Sequence, residues 1–500
     1  MKKGIGDMAS QVNRRIFLGT GMGGAALVSR FSHSQSALTV GDRAQLLWDD
    51  HLVDRKEGIR LSVTPARADH VRVVSPDVPT DQDGVWAWVT VADEGGRVRM
   101  WYSGRALGDP AEVSRLCYAD SEDGVHWDKP PCGVTSFQGN RRNNIVLTVQ
   151  HEGGVFLDPS AGPGQRYKCV FGERDKERGY GHRRTLPLRG GSREWLGPTI
   201  EGASSPDGIH WTKGPGPLMD WYTDTCNVCY YDFRLKKYVC FVRDNQYPRF
   251  KGGAIRCIGR TESETFGDFP RPERVLAPDR DDPPGMDLYN SAAQPYPFAD
   301  GVYLLFPSAY YHDTDNLEIQ IATSRDSVRW RRPDRSPFLS PGRTGDFDSR
   351  MVYMGVGMIP RGDEIWMYYG GFDVGHEQVK RAPGMGGVGR VRFLRHRIVA
   401  QAAESALGHL VTKPLIFSGR HLQLNADCGA GGRIQVGVLG LDGAPVPGLG
   451  LEECEPLIGD VLRGVVRWKS DARLSDLTGK PVQLSFRLQR RARLYAFRFR

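Results

Sequence analysis

The sequence predicts an all-β protein, a five-bladed β-propeller followed by a C-terminal β-sandwich, and three observations predict it. Apolar runs are short and broken by 61 glycines and 32 prolines, which suits many short strands better than long helices. A Ser-x-Asp-Gly-x-x-Trp segment recurs along the middle of the chain. Composition changes after about residue 396, and 500 residues is more chain than one hydrophobic core usually supports.

At the amino terminus Asn13-Arg14-Arg15-Ile16-Phe17-Leu18 opens a mild apolar stretch that ends in small residues near Ala37. Residues 1–37 read as a twin-arginine signal peptide, so the expected location is periplasmic or secreted. No later segment has the roughly 18 consecutive apolar residues of a membrane span. The net charge of +8 is less telling than it looks, because residues 1–37 hold Lys2, Lys3, Arg14, Arg15 and Arg30 against Asp7 and leave +4 on the rest. No basic stretch is interleaved with aromatics, so nucleic acid is not an expected partner. The nine cysteines form no metal set: Cys226-x-x-Cys229 has no second pair at zinc-finger distance and falls in an expected strand, 225–231. Buried thiols are the expectation.

The expected propeller spans 42–395. Its corners are Ser121 to Trp127, Ser205 to Trp211 and the altered Ser324 to Trp330, each preceded by an extended run. Asp-Gly favours a hairpin turn, and the Trp is expected to start the return strand. The corner aspartates lie 84 and 119 residues apart, and the wider gap leaves room for a unit without the Trp, with strands near 226–231, 237–242 and 254–260. A fifth unit begins with the hairpin 351–359 and 364–369, and residues near 46–53 are expected to supply its missing strand. The expected sandwich spans 396–500, with alternating strands at 421–425, 432–438, 465–468, 482–488 and 494–499 and a short linker helix near 401–408.

Propeller topology sorts the polar residues. The corners join third to fourth strands, so Asp123, Asp207 and Asp326 belong to one rim and have structural roles. The starts of inner strands and the ends of second strands share the other rim, which collects Asn144, Asp224, Asp287, Tyr289, Asp346, Asp348, Arg105, Glu173, Arg243, Asp244, His312, Asp373, His376 and Glu377. Asp50 joins them if 46–53 closes the ring. Asp224 stands out because Trp221 and Asn227 flank it with groups suited to a sugar ring, and Asp348 holds the matching place in the fifth unit. Arg243 is placed to hold an acid ionised, and His376 and Glu377 suit hydroxyl contacts or proton transfer.

The opening Leu46-Leu-Trp-Asp-Asp-His-Leu-Val-Asp54, Asn143-Asn144-Ile145, Gln165-Arg-Tyr-Lys168, the Asp-Gly-x-x-Trp corners, Asp224-x-x-Asn227 and the closing Leu494-Tyr-Ala-Phe497 resemble exported proteins related to glycoside hydrolase family 32. The resemblance implies a five-bladed propeller with a terminal sandwich and a carbohydrate-facing funnel. The Asn-Asp-Pro-Asn, Arg-Asp-Pro and Glu-Cys signatures of true fructosidases are not matched, and Glu453-Cys454 falls in the sandwich. Families 32 and 43 imply three funnel carboxylates, here Asp50, Asp224 and Asp348, with Glu173 or Glu377 as the acid. Expected substrate contacts are Arg243, His376, Glu377, Tyr289, Asn227, Asp287 and Trp221. The expected function is hydrolysis of a polysaccharide or oligosaccharide outside the cytoplasm, and the alternative is a glycan-binding propeller without catalysis. Carboxyls about 5–10 Å apart across the funnel favour the first. No metal ligands or cofactor are assigned; several rim aspartates leave calcium as an open alternative, although no D-x-D-x-D-G calcium loop is present.

Overall fold

The computed structural model describes residues 36–110, 113–173, 182–188, 191–197, 199–221, 224–246, 254–378 and 383–500, so the expected signal peptide lies almost wholly outside the described residues. Every element in them is a strand apart from three short 3-10 turns, Pro163–Gln165, His376–Gln378 and Leu474–Leu477. The all-β expectation holds.

Five antiparallel sheets follow in chain order, and together they are consistent with a propeller-like set. The first is built from Gly84–Glu94, Arg97–Arg105 and Ser114–Ser121, with Ile145–Val149 beside the last. The second orders His151–Leu157, Tyr167–Glu173, Thr199–Ser205 and Thr212–Lys213. The third orders Val228–Asp232, Lys237–Gln246, Ile255–Ser263 and Glu273–Leu276, the unit expected without a Trp corner. In the fourth, interrupted strands pair Gln294–Pro295 with Tyr303–Leu305 and Ala322–Ser324, and Asp287–Leu288 with Ser308–Tyr311 and Asn316–Ile319.

The fifth sheet corrects the sequence reading. Met351–Met354 pairs with Glu364–Phe372 and that with Met385–Leu394, but the fourth strand is Arg67–Val74 and not 46–53. Arg67–Val74 is an outer strand with one face in water, so it carries Arg67, Asp69, His70 and Arg72 and lacks an apolar run. The apolar Leu46-Leu47-Trp48 is instead buried against the fourth sheet and the carboxy-terminal strands. The Trp48 ring lies 4.7 Å from Tyr296, and its Nε1 donates to the His396 carbonyl at 2.9 Å. The fifth sheet meets the first through the parallel pairs Met385 with Gly84 and Gly386 with Val85.

Two further sheets form a sandwich-like pair. One orders Asp460–Val465, Leu422–Asp427, Arg493–Phe499, Val399–Ala403 and Ile59–Val63, with Gln45–Leu46 also on Arg493–Phe499. The other orders Val53–Glu57, Leu407–Thr412, Gln483–Gln489 and Arg433–Leu439. Leu424, Val436, Leu484, Phe486, Leu494 and Phe497 fill the space between them. The expected division at 42–395 and 396–500 does not follow this pairing, because strands from 45–63 complete both sheets. Nor is there a helix near 401–408: Val399–Ala403 is a fully buried strand held between Ile59–Val63 and Arg493–Phe499, and that pairing outweighs the helix propensity of Gln-Ala-Ala-Glu.

The corners repeat one geometry. In the second sheet Ser205 Oγ accepts from the Gly208 amide, while Asp207 Oδ1 accepts from the Ile209 and His210 amides at 2.9 and 2.8 Å. Of the Asp-Gly pair only the glycine takes positive φ (Gly124 and Gly208, both +76°), and Ser327 takes +60° in the third copy. The Trp precedes the return strand rather than starting it, since pairing resumes at Asp128, Thr212 and Arg331. Each corner docks on a neighbouring sheet. Tyr368 OH donates to the Gly124 carbonyl, Trp101 Nε1 to the Gly208 carbonyl and Arg260 Nη2 to Ser327 Oγ. The structural role expected of Asp123, Asp207 and Asp326 is therefore what the geometry gives. The nine cysteines are all free thiols, eight of them buried.

Candidate functional site

Side chains alternate along a strand, so one row of the third sheet faces the fourth. On Lys237–Gln246 that row is Val239, Phe241 and Arg243; the first two fill the core against Leu288, Tyr303 and Leu305, and Arg243 ends the row. On Ile255–Ser263 the row is Arg256, Ile258 and Arg260. Ile258 is core, Arg260 reaches the Ser327 corner, and Arg256 stands at the other end beside Arg243 and Tyr289. The corners and this second cluster therefore occupy opposite ends of the same strand.

Tyr289 is the centre of the cluster. Arg243, fully buried, lies 4.4 Å over its ring and donates Nε and Nη2 to its carbonyl at 3.2 and 2.9 Å. Arg243 Nη1 pairs with Asp224 Oδ1 at 2.7 Å, and its carbonyl accepts from Trp221 Nε1 at 2.7 Å. Arg256 lies 4.8 Å from the Tyr289 ring and pairs with the buried Asp287 at 2.6 Å. His312 Nε2 is 3.1 Å from the same Asp287 oxygen. His376 Nε2 is 3.1 Å from Tyr289 OH, and its ring packs on Tyr310 at 4.8 Å. Tyr310 OH donates to Asp315, which also accepts the Glu377 amide. Such convergence of arginine, carboxylate, imidazole and aromatic faces offers planar donors, acceptors and a stacking surface to one ligand.

Burial, and after it the charge of Arg256, lowers the pKa of His376 below the ordinary histidine value, so its imidazole is neutral at pH 7. Burial raises that of Tyr289, which stays a phenol. For Arg256 burial works against the charge, but Tyr289 and Asp287 more than offset it.

Seven of the eleven expected site residues meet here: Asp224, Arg243, Asp287, Tyr289, His376, Glu377 and Trp221. Asn227 is fully buried behind them, so close to Gly154 that a Cβ there would fall 2.2 Å from its carbonyl oxygen. Glu173 ends its strand as expected, but both its oxygens take Lys213 Nζ at 2.8 Å on the outermost strand of the second sheet. Asp348 is fully buried in the loop that leads into the fifth sheet, with His70 and Tyr369. Asp50 lies among the corners instead. It sits beside the Ser324 to Trp330 corner with Lys56 at 2.7 Å and Arg331 at 3.1 Å, because its segment does not close the fifth sheet. Burial raises its pKa, yet Lys56 and Arg331 hold its carboxyl below the ordinary range.

Arg256, Tyr310 and Asp315 complete the cluster and were not among the expected contacts. Arg256 was readable in principle, because it lies two positions before the core residue Ile258. Tyr310 and Asp315 had no such signal: Tyr310 lies in the short strand Ser308–Tyr311 just after Pro307, and Asp315 in the turn that follows it.

No family model matches this chain, and no curated protein matches it. Among solved structures it is similar to an N-acetylgalactosamine deacetylase from F. plautii in complex with blood group B trisaccharide (14% identity, TM-score 0.45, covering 68% of this chain and 97% of that one). It is similar also to a β-1,2-mannobiose phosphorylase from Listeria innocua (14%, TM-score 0.45, 67% and 98%). A thermostable family-43 glycoside hydrolase is a third (14%, TM-score 0.43, 66% and 94%). Likeness at this level assigns this chain no chemistry.

Proposed function

We propose that this protein is a carbohydrate-active propeller, exported by the twin-arginine route, that takes a glycan at the rim centred on Tyr289 and hydrolyses it. In this reading the five sheets are the blades of a five-bladed propeller closed by Arg67–Val74, and the sandwich supports it. The observation that carries the reading is the pair of arginines set over one tyrosine ring, each with its own carboxylate, at the rim opposite the corners. Sugars are bound by stacking on aromatic faces and by planar groups that hydrogen-bond neighbouring hydroxyls.

Hydrolysis needs a proton donor and a second carboxylate. Asp50 is at the other rim, and Asp348 and Glu173 have separate partners, so the roles pass to Asp224 and Glu377. Their side chains keep 32% and 73% exposure, whereas Asp287 is fully buried. Asp224, beside Arg243, is the ionised nucleophile or base, and Glu377, beside His376, is the acid. The second reading, binding without cleavage, is favoured by the ion pairs that occupy Asp224 and Asp287. A polysaccharide panel with reducing-end detection separates the two. Cleavage that drops at least about 100-fold in both Asp224→Asn and Glu377→Gln supports hydrolysis. Binding without cleavage, weakened by Trp221→Ala, supports the second reading. Cleavage undiminished in both carboxyl variants, or no glycan bound at all, sinks the assignment of this rim. Export is checked by fractionation: replacing Arg14 and Arg15 with Lys should retain the protein in the cytoplasm.

A further inference from the structure

The outer strand of the fifth sheet has a defect at one residue. Between its pairs Ala68 with Val391 and Arg72 with Gly389, Arg67–Val74 spends extra residues, and His70 there takes φ of +54°. A bulge of this kind re-aims a side chain. Asp69 turns to Arg390 and Arg392, while His70 turns to the loop before Met351, where its Nδ1 is 2.8 Å from Asp348 Oδ2.

Asp348 is fully buried. Its Oδ2 also accepts from Tyr369 OH at 2.7 Å, but its Oδ1 is buried with no hydrogen-bond partner. A buried carboxylate oxygen left so is costly unless something cationic or protic meets it. Asp346 lies two residues earlier, and His70, Asp346 and Asp348 each offer a ligand atom within 4.8 Å of the others. Gly342 faces the same two carboxylates: a Cβ there would fall 2.4 Å from Asp348 Oδ1 and 2.8 Å from Asp346 Oδ2. Any side chain at 342 would crowd the oxygens, so glycine leaves a cradle between them.

We propose that His70, Asp346 and Asp348 bind one divalent transition ion of the zinc or manganese class. One imidazole nitrogen with two carboxylate oxygens is a borderline donor set, whereas calcium and magnesium favour oxygen alone. The ion neutralises the two carboxylates and gives the buried Asp348 Oδ1 its missing partner. It also pins the closing strand to the loop that starts its sheet, so its role is structural. Ends joined so far apart in sequence gain from such a clip by reducing the entropy of the open chain.

The test uses the full chain, stripped with chelator and then titrated with Zn²⁺, Mn²⁺ and Ca²⁺ separately, with bound metal and the melting temperature as readouts. About one equivalent of Zn²⁺ or Mn²⁺ should bind and raise the melting temperature by several degrees. His70→Gln and Asp346→Asn, neither fully buried, should each bind at least about tenfold more weakly and lose that rise. Wild-type protein that takes up neither metal and melts unchanged overturns the proposal, whether or not the variants fold. Wild-type binding retained in both variants overturns the ligand set, and uptake of Ca²⁺ in preference to the other two overturns the class of ion.

Discussion

His396 shows what a single residue contributes between the two parts of the fold. It takes φ of +69°, its amide donates to Tyr296 OH, its Nδ1 sits 3.1 Å from the same oxygen, and its carbonyl holds Trp48. Burial, with a smaller push from Arg395, lowers its pKa from 6.5 to about 4. The unfolded chain therefore binds a proton more readily than the folded one between those values. Stability from this group is whole above pH 6.5 and is lost as pH falls towards 4, by about 3 kcal/mol at 1.36 kcal/mol per pKa unit. Urea unfolding of the wild type and of His396→Asn, an exchange that tolerates positive φ, should show a shallower fall in the variant between pH 7 and pH 5. Equal slopes would assign the pH dependence to other groups. Glu377 and Asp224 make the contrast at the same scale: their positions, and Arg243 and His376 beside them, were legible, but the second arginine over the Tyr289 ring, Arg256, was not.

Among the elements, the corners are the part best read from sequence, because their structure is local. A serine hydroxyl and an aspartate satisfy the turn amides within three residues, so the pattern needs no distant partner to form. What each corner docks against is distant. Gly208 has positive φ, and a Cβ there would fall 2.6 Å from the Trp101 ring of the first sheet. Gly208→Ala combines strain with a clash and should cost about 3 kcal/mol, while Gly95→Ala, at φ of +66° in open space, should cost about 1 kcal/mol. Thermal or denaturant melts of the two variants check this, and equal losses would mean that the docking contact contributes nothing. Arg67–Val74 is the opposite case. An outer strand has only one packed face, so its alternation is weak, and nothing local distinguishes it from a polar loop.

Over the whole molecule, the amino-terminal strands complete sheets built mainly from the far end of the chain. Ile59–Val63 lies beside Val399–Ala403, Val53–Glu57 beside Leu407–Thr412, and Leu47 and Leu52 are part of the same core as Phe486 and Phe497. A fragment of residues 396–500 alone should show no cooperative melting transition, and adding a peptide of residues 37–66 should restore one in part. Cooperative folding of the bare fragment would show that the long-range strands are dispensable. The all-β class, the three corners and the strand pairs between them were determined by the sequence itself, since hairpins, Asx turns and period-two burial act over a few residues. The tertiary structure alone decided that 67–74 and not 46–53 completes the fifth sheet, that Asp50 faces the corners, and that Arg256 and Tyr310 join Asp224 around Tyr289. Each of those depends on which distant strand wins a shared edge or core, a competition settled by the summed burial of many residues and written in no single segment.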